Sequence, residues 1–527
     1  MVWALCSCGA PDIERGPGAD GVVVGGPEVG LANDVGDARG AEISAEMGRS
    51  RWRGTEVVAA PPGPWPTRLR WIAAGGGSTP EFNQVSIEQD LGLARDSLGA
   101  GGLLLFAGGR GSHGVQVQAE APTDALMMTL ADLFAPRGGR GASYRPTVLA
   151  VDAAATVANL RAAIEAATGG PGDPLLVYLA GHGQRGELPG DARIELWGQE
   201  GIAASELAGL LDGRQRAVRV VLTSCFSGGF AELAFVGADA ERRRLARGRC
   251  GLFAATVERE ASGCDPNPDR AAQEGYGLHF LQALQGRDRA GVAAAIDLDG
   301  DGRVSLLEAH ARARIASRGI DVPTSTSERW LRVVPGLRGR PVASAAATAV
   351  LREEEVVIAA LAEQLGLTGR EQEAVAGLQA VAKDMSEVTG RIDQASADED
   401  AAYRRTAAQL LARWPVLDDP WHPEFAAMLA SERAVIAAEL ASNAAYAEYQ
   451  AARAEVEAAQ AEPATLLARG ALLERLARAL ETRTRAQLLA GRGGGDWEGY
   501  VELVSCERWV PGSVDIQPLA PRPEAGR

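Results

Sequence analysis

Between about residues 68 and 340, short apolar runs alternate with stretches of helical period, and no other feature of this 527-residue chain restricts its fold so tightly. The runs are Leu69–Ala73, Leu103–Ala107, Thr147–Val151, Leu175–Leu179, Val218–Leu222 and Leu252–Ala255. Each is short for a helix and too apolar for a strand with one wet face. Between them, Val157, Leu160 and Ile164 share one helical face, and so do Leu207, Leu210 and Leu211. Buried strands alternating with helices imply an α/β fold: a mostly parallel sheet with helices on both faces.

The flanking regions read differently. Residues 1–66 carry Gly, Ala, Asp, Glu and Pro without sustained periodicity and end in Pro-Pro-Gly-Pro-Trp-Pro, the composition of a disordered leader. The α/β unit occupies 67–340. From 344 to 490 the pattern is helical throughout: Leu351, Ile358, Leu361 and Leu365 form one stripe, and Leu466, Leu473 and Leu480 another. Pro415, Pro420 and Pro423 divide this all-α region. Its stripes fit self-packing first and a protein partner second. Residues 491–527 read as a tail.

Charge and cysteine usage exclude several function classes. With 69 acidic and 53 basic residues the net charge is −16, which argues against nucleic acid as the main partner. No run of 18 apolar residues occurs, so no transmembrane helix is expected. The six cysteines form no CxxC pair, which removes zinc ribbons and thioredoxin chemistry. Cys250 and Cys264 fit a bridge in an exported chain, and fit free buried thiols at least as well. Leu5-Cys6-Ser7-Cys8 resembles a bacterial lipobox, which would make Cys8 a lipid anchor and place the protein at the cell envelope or outside. The seven preceding residues are too few for a normal signal peptide.

Two of the apolar runs end in the residues that carry chemistry. Leu175-Leu-Val-Tyr-Leu-Ala-Gly-His182-Gly183 and Val218-Arg-Val-Val-Leu-Thr-Ser-Cys225-Phe-Ser-Gly-Gly each bring a polar side chain to the carboxyl end of a strand. Sites in open α/β sheets form there. A thiol is only slightly ionised at neutral pH; a neighbouring imidazole generates thiolate and later protonates the leaving group. Gly183 permits close backbone approach, so its N–H and that of Cys225 are candidates for stabilising an oxyanion.

Strand–His-Gly followed 43 residues later by strand–Ser-Cys-x-Ser-Gly resembles the caspase/legumain/metacaspase superfamily of cysteine peptidases. Gly75-Gly-Gly-Ser-Thr-Pro-Glu-Phe-Asn83 and Glu258-Arg-Glu-Ala-Ser-Gly-Cys-Asp265 bring it closer to bacterial legumain-like proteins than to animal caspases. The resemblance covers about residues 68–335. It implies hydrolysis of peptide or protein substrates, with His182 as base and Cys225 as nucleophile. In caspases an Arg in the loop after the first strand selects Asp, yet residues 75–94 hold no Arg, Lys or His. Acidic residues are available instead: Glu88 and Asp90, and, after a later strand, Glu258, Glu260 and Asp265. With Asn83, the last three are the candidate substrate-binding residues, and they suit a basic P1 side chain. The Arg-rich interval 238–249 lies where caspases carry their activation linker.

One further motif stands apart. Residues 297–308, Asp-Leu-Asp-Gly-Asp-Gly-Arg-Val-Ser-Leu-Leu-Glu, fit a calcium-type loop at every position. Asp297, Asp299 and Asp301 would supply carboxylates, Arg303 its carbonyl, Ser305 a direct or water-mediated contact and Glu308 a bidentate carboxylate to a structural Ca2+. His113 is expected in solvent and His279 in the core, while His310 and His422 have no metal-ligand partner at helical spacing.

Overall fold

A computed structural model describes residues 65–119, 124–135 and 141–512. Its strands are β1 (Trp71–Gly76), β2 (Gly102–Phe106), β3 (Val115–Gln118), β4 (Ala142–Arg145), β5 (Leu175–Gly181), β6 (Gly183–Gln184), β7 (Arg193–Leu196), β8 (Glu200–Ala203), β9 (Val218–Leu222), β10 (Arg249–Phe253) and β11 (Thr324–Ser325). Six of these form the central sheet in the order β11-β10-β9-β5-β1-β2. All its pairings are parallel except β10–β11. β3 pairs with β4, and β6, β7 and β8 form a small antiparallel sheet.

Strands β1, β2 and β5 are apolar along their length, and β9 and β10 mostly so, because both faces of the sheet are covered. Trp71, Ala73, Leu176 and Tyr178 point into one core, where helices α1 (Val85–Leu98), α5 (Tyr276–Leu284) and α6 (Leu306–Ala316) pack. Ile72, Ala74, Leu175, Val177 and Leu179 point into the other, against α3 (Val157–Thr168) and α4 (Ala204–Leu211). Helix α2 (Ala125–Phe134) leaves this body between β3 and β4.

One expected strand is missing and one unexpected strand is present. Residues 147–151 form no strand: Val148 is exposed, and the chain meets β2 only beyond, where Asp152 N–H donates to Leu104 O and Phe106 N–H to Ala153 O. Apolar composition marked the run, but the segment passes beside the edge of the sheet without pairing along its length. Conversely β11, two polar residues long, adds the antiparallel edge and carries no apolar signal.

The helical region comprises α7 (Thr326–Val333), α8 (Ala345–Val350), α9 (Arg352–Leu365), α10 (Ala374–Arg413), α11 (Phe425–Ser442), α12 (Ala444–Arg492) and α13 (Gly495–Glu507). Helices α10 and α12 run antiparallel, as Gly377 against Leu473, Arg391 to Glu462 and Arg405 to Glu448 show. The root of this hairpin sits on α6, where Arg475 donates to the carbonyls of Arg314 and Ser317. Its far end holds α2: Leu130 and Leu133 pack with Leu410, Trp414, Ile436 and Tyr449, and Tyr403 Oη donates to Leu133 O. Of the stripe residues, Ile358, Leu361 and Leu473 pack together and on Ala311 of α6, while Leu351 packs against Phe235 and Trp330.

Residues 495–507 are no tail. Tyr500, Leu503 and Val504 of α13 enter a core with Phe235, Trp330 and Leu351. Cys506 is disulfide-bonded to Cys250 of β10, whereas Cys264 is buried and takes no part in a disulfide. The pairing differs from Cys250–Cys264 because α13, whose burial the tail reading missed, returns to the sheet. Among the described residues no helix is long and apolar enough to cross a membrane. Cys6 and Cys8, like the leader up to residue 64, lie outside the described residues.

Candidate functional site

Neighbouring strands β5 and β9 are paired with Leu179 opposite Leu222, and His182 and Cys225 each follow three residues later. Register alone therefore delivers both side chains to one end of the sheet. Gly183 shows how closely the two turns fit. A Cβ there would lie 2.1 Å from the Cys225 carbonyl oxygen and 3.0 Å from Ser224 Oγ. No other residue fits without moving the Cys225 backbone.

The turn after Cys225 is strained. Phe226 has φ +56°, a left-handed conformation unusual for an aromatic residue, and opens the 3-10 segment Ser227–Ala234. Phe226 N–H donates to Arg259 O, and Ser227 Oγ accepts from Ala255 N–H. The chain leaving β10 thus clamps the turn. It also reaches the sulfur: Ala261 N–H points at Cys225 Sγ from 3.2 Å, with Ala261 O at 3.6 Å. The N–H stabilises negative charge on sulfur and the carbonyl accepts from a neutral thiol. Cys225 is only 2% exposed and His182 only 6%.

The imidazole is held on one side. Its Nε2 lies 2.9 Å from Phe82 O and 2.9 Å from Gln84 Oε1, and the Phe82 ring meets it edge-on. A carbonyl oxygen can only accept, so Nε2 carries the proton and, in the neutral ring, Nδ1 carries the lone pair. Beyond His182, Glu195 N–H donates to the His182 carbonyl. Gly183–Ile194 is then the non-hydrogen-bonded pair of the β6–β7 ladder, and the Gly183 N–H turns away from β7.

The expected substrate-binding residues separate. Glu260 precedes Ala261, is half-buried, and burial alone raises its carboxyl above the usual value. Glu258 is exposed, while Arg259 between them pairs with Glu474 of α12. Asp265 is half-buried, also raised by burial, and accepts from Asn267 N–H. Asn83 is fully buried with its carboxamide on the backbone, accepting from Gly77 N–H and donating to Gly114 O. It shapes the loop and offers no polar atom to a ligand. Glu88 binds Arg145, Thr147 and Val148, and Asp90 pairs with Arg270. Neither is an available acid, because Arg residues far away in sequence reach them.

The interval 238–249 is exposed at Glu241, Arg242, Arg244, Arg247 and Gly248, but parts of it are held. Arg243 pairs with Asp496 and Arg247 with Glu502 of α13. Arg249, 4% exposed, donates to Leu233, Phe235 and Ala208 carbonyls and pairs with Asp212. Cleavage after Arg249 would need β10 to come apart.

The acidic loop is a compact turn whose Asp297, Asp299 and Glu308 bring donor atoms within 4.8 Å of one another. Asp297 accepts from Gly300 and Gly302 N–H, Asp301 from Arg303 N–H, and Asp299 from Asp301 N–H. Those backbone bonds hold the Asp297 carboxyl below its ordinary value. Asp299 also pairs with Arg352 at the start of α9. Buried Glu308 closes a capping box with Ser305 and accepts from Leu298 N–H. The remaining histidines serve structure or solvent. His113 is exposed, His279 meets Glu274 in the core, and His310 meets Tyr276 Oη, with burial pushing its imidazole down to about 3.

Sequence reasoning missed Phe82, Gln84 and Ala261. Two of them act through backbone atoms, which leave no mark in residue type. Compared with known proteins, the chain matches no family model and none of the curated proteins.

Proposed function

We propose that this chain is a cysteine-type endopeptidase of the caspase/legumain type, with His182 and Cys225 as its catalytic dyad. The observation that carries the reading is the shared register of the two residues on adjacent parallel strands, with Gly183 fitted against the Cys225 carbonyl. In the reaction, the imidazole takes the thiol proton and the Cys225 sulfur attacks the scissile carbonyl carbon. The N–H of Gly183 and that of Cys225 receive the oxyanion. The imidazolium then gives its proton to the leaving amine, and water hydrolyses the thioester. Glu260, half-buried and next to the residue that touches the sulfur, supports a basic P1 side chain.

The acidic loop fits a structural calcium ion. All its donors are oxygens, suited to a hard cation, and a glycine at φ +81°, Gly302, makes its sharp turn. Asp297, Asp299, Asp301, Ser305 and Glu308 would hold the ion with the Arg303 carbonyl, and its role would be to neutralise the cluster beside α9.

A thiol-directed peptidyl probe with Arg at P1 tests the dyad. It labels the native chain at Cys225, leaves Cys225→Ala unlabelled, and hydrolysis of the matching fluorogenic peptide follows the same pattern. Absence of both labelling and hydrolysis across a full P1 library would leave a non-catalytic scaffold.

A further inference from the structure

Gln84 occupies the N-cap position of α1, yet its side chain makes no capping hydrogen bond. Caps are normally Ser, Thr, Asp or Asn, whose oxygens satisfy the first helical N–H groups. Here the side chain turns the other way. Its Nε2 donates to Glu81 O at 3.2 Å, which leaves Oε1 facing His182 Nε2 at 2.9 Å. Gln84 is buried, and its backbone is fixed by a bridge to Gln116. The fully buried carboxamide of Asn83 anchors the same loop.

We infer that Gln84 is a positioning residue for the imidazole of His182, acting on its orientation and tautomer within the proposed dyad. The Phe82 carbonyl and the edge-on Phe82 ring already contact the imidazole, and Gln84 Oε1 adds a second acceptor on Nε2. A second acceptor at equal distance shares that proton and fixes the ring, so that Nδ1 keeps the lone pair. Both acceptors are neutral. They favour the imidazolium formed when the ring takes a proton, but they do not discharge it, so it remains a usable acid for the leaving amine. Gln84 gives up helix capping, and the imidazole Nε2 gains a second acceptor.

The test uses the full chain with Gln84→Leu, which removes the acceptor, and Gln84→Glu, which keeps it and adds charge. Two readouts are needed because the inference rests on the peptidase reading. The first is the pH profile of kcat and KM on an Arg-P1 peptide. Gln84→Leu lowers kcat at least about tenfold with KM within about twofold. Gln84→Glu retains most of kcat and moves the acidic limb up by about one pH unit, since a carboxylate beside the ring stabilises the imidazolium and the neutral base forms only at higher pH. The second readout is NMR of labelled histidine rings in a Cys225→Ala background, tractable with five histidines in the chain. The His182 ring titrates higher in Gln84→Glu and loses its uniform Nε2–H tautomer in Gln84→Leu. An unmoved His182 titration and tautomer in both variants would overturn the inference. So would equal loss of kcat in both without a shifted limb. If the native chain hydrolyses no peptide, the peptidase reading fails and the ring titrations still decide whether Gln84 governs His182.

Discussion

The turn pair at the end of β5 and β9 and the acidic loop at 297–308 are both tight, glycine-containing turns, but they are held in opposite ways. At the first, each turn is shaped by its neighbours: Gly183 by the Cys225 backbone, Phe226 by Arg259, the sulfur by Ala261. At the second, the loop is shaped mainly by itself, through Asp297 to Gly300 and Gly302, Asp301 to Arg303 and Glu308 to Ser305. A turn held by long-range contacts is preorganised before any ligand arrives. A turn held by its own carboxylates changes its charge balance when a cation arrives, so its stability depends on solution conditions.

The sharpest break between the two is chemical. Cys225→Ala and His182→Ala each lower peptide hydrolysis by at least about a thousandfold, and the double variant is little worse than either, as members of one catalytic unit behave. Single-turnover kinetics on the three proteins checks this. Additive losses would mean that the two residues act apart.

Next in size is Gly183→Ala. Its Cβ would collide with backbone, so we expect a loss of about 1–3 kcal/mol in unfolding free energy, together with most of the activity. Gly300→Ala, at φ +77° with nothing within 4 Å, carries only a left-handed backbone penalty of about 1 kcal/mol and leaves hydrolysis intact. Denaturant titration of both variants measures the difference; equal destabilisation would erase the distinction between the two turns.

A smaller effect belongs to Glu260. Glu260→Gln reduces the preference for Arg over a neutral P1 residue about tenfold, one charge contact's worth. The sign with pH follows from its burial. A carboxyl raised above the ordinary 4.5 loses its charge sooner on acidification, so the preference for Arg fades at a higher pH than for an exposed glutamate. Competition between Arg and Gln peptides across pH 4–8 (about that range, bracketing ordinary carboxyl and imidazole titration) checks both statements. A pH-independent preference would remove Glu260 from the pocket.

The smallest expected change is thermal. Calcium raises Tm by roughly 2–5 °C through binding to the native loop alone. Asp299→Ala with Asp301→Ala abolishes the rise while sparing the Glu308 cap. Identical melting in calcium and in chelator would reduce the loop to a turn.

What was legible from residue types was the pattern that burial writes into them. Strands β1, β2, β5, β9 and β10 and helices α3 and α4 announced themselves because both sheet faces are covered. The polar residues ending β5 and β9 stood out against that apolar background. What was hidden depends on distant segments coming together. Glu88 and Asp90 resemble free acids until Arg145 and Arg270 reach them. In the Arg-rich interval, Arg242, Arg244 and Arg247 are exposed as its composition suggests, but the pairing of Arg243 with Asp496 and of Arg247 with Glu502 depends on α13. The run 147–151 shows the converse error, in which apolar composition alone imitates a strand.

The bond between Cys250 and Cys506 joins positions 256 residues apart. It turns everything from β10 to α13, including the long α10–α12 hairpin, into one covalent ring hung on the central sheet. A single cut anywhere between the two cysteines opens this ring without severing the molecule. A nicked protein would therefore migrate as one piece until reductant is added, and only then shed its carboxyl-terminal portion from the denatured chain. In an oxidising compartment, damage to the exposed hairpin would leave a gap in a loop, with both flanks still moored to β10, at the end of the sheet opposite His182 and Cys225.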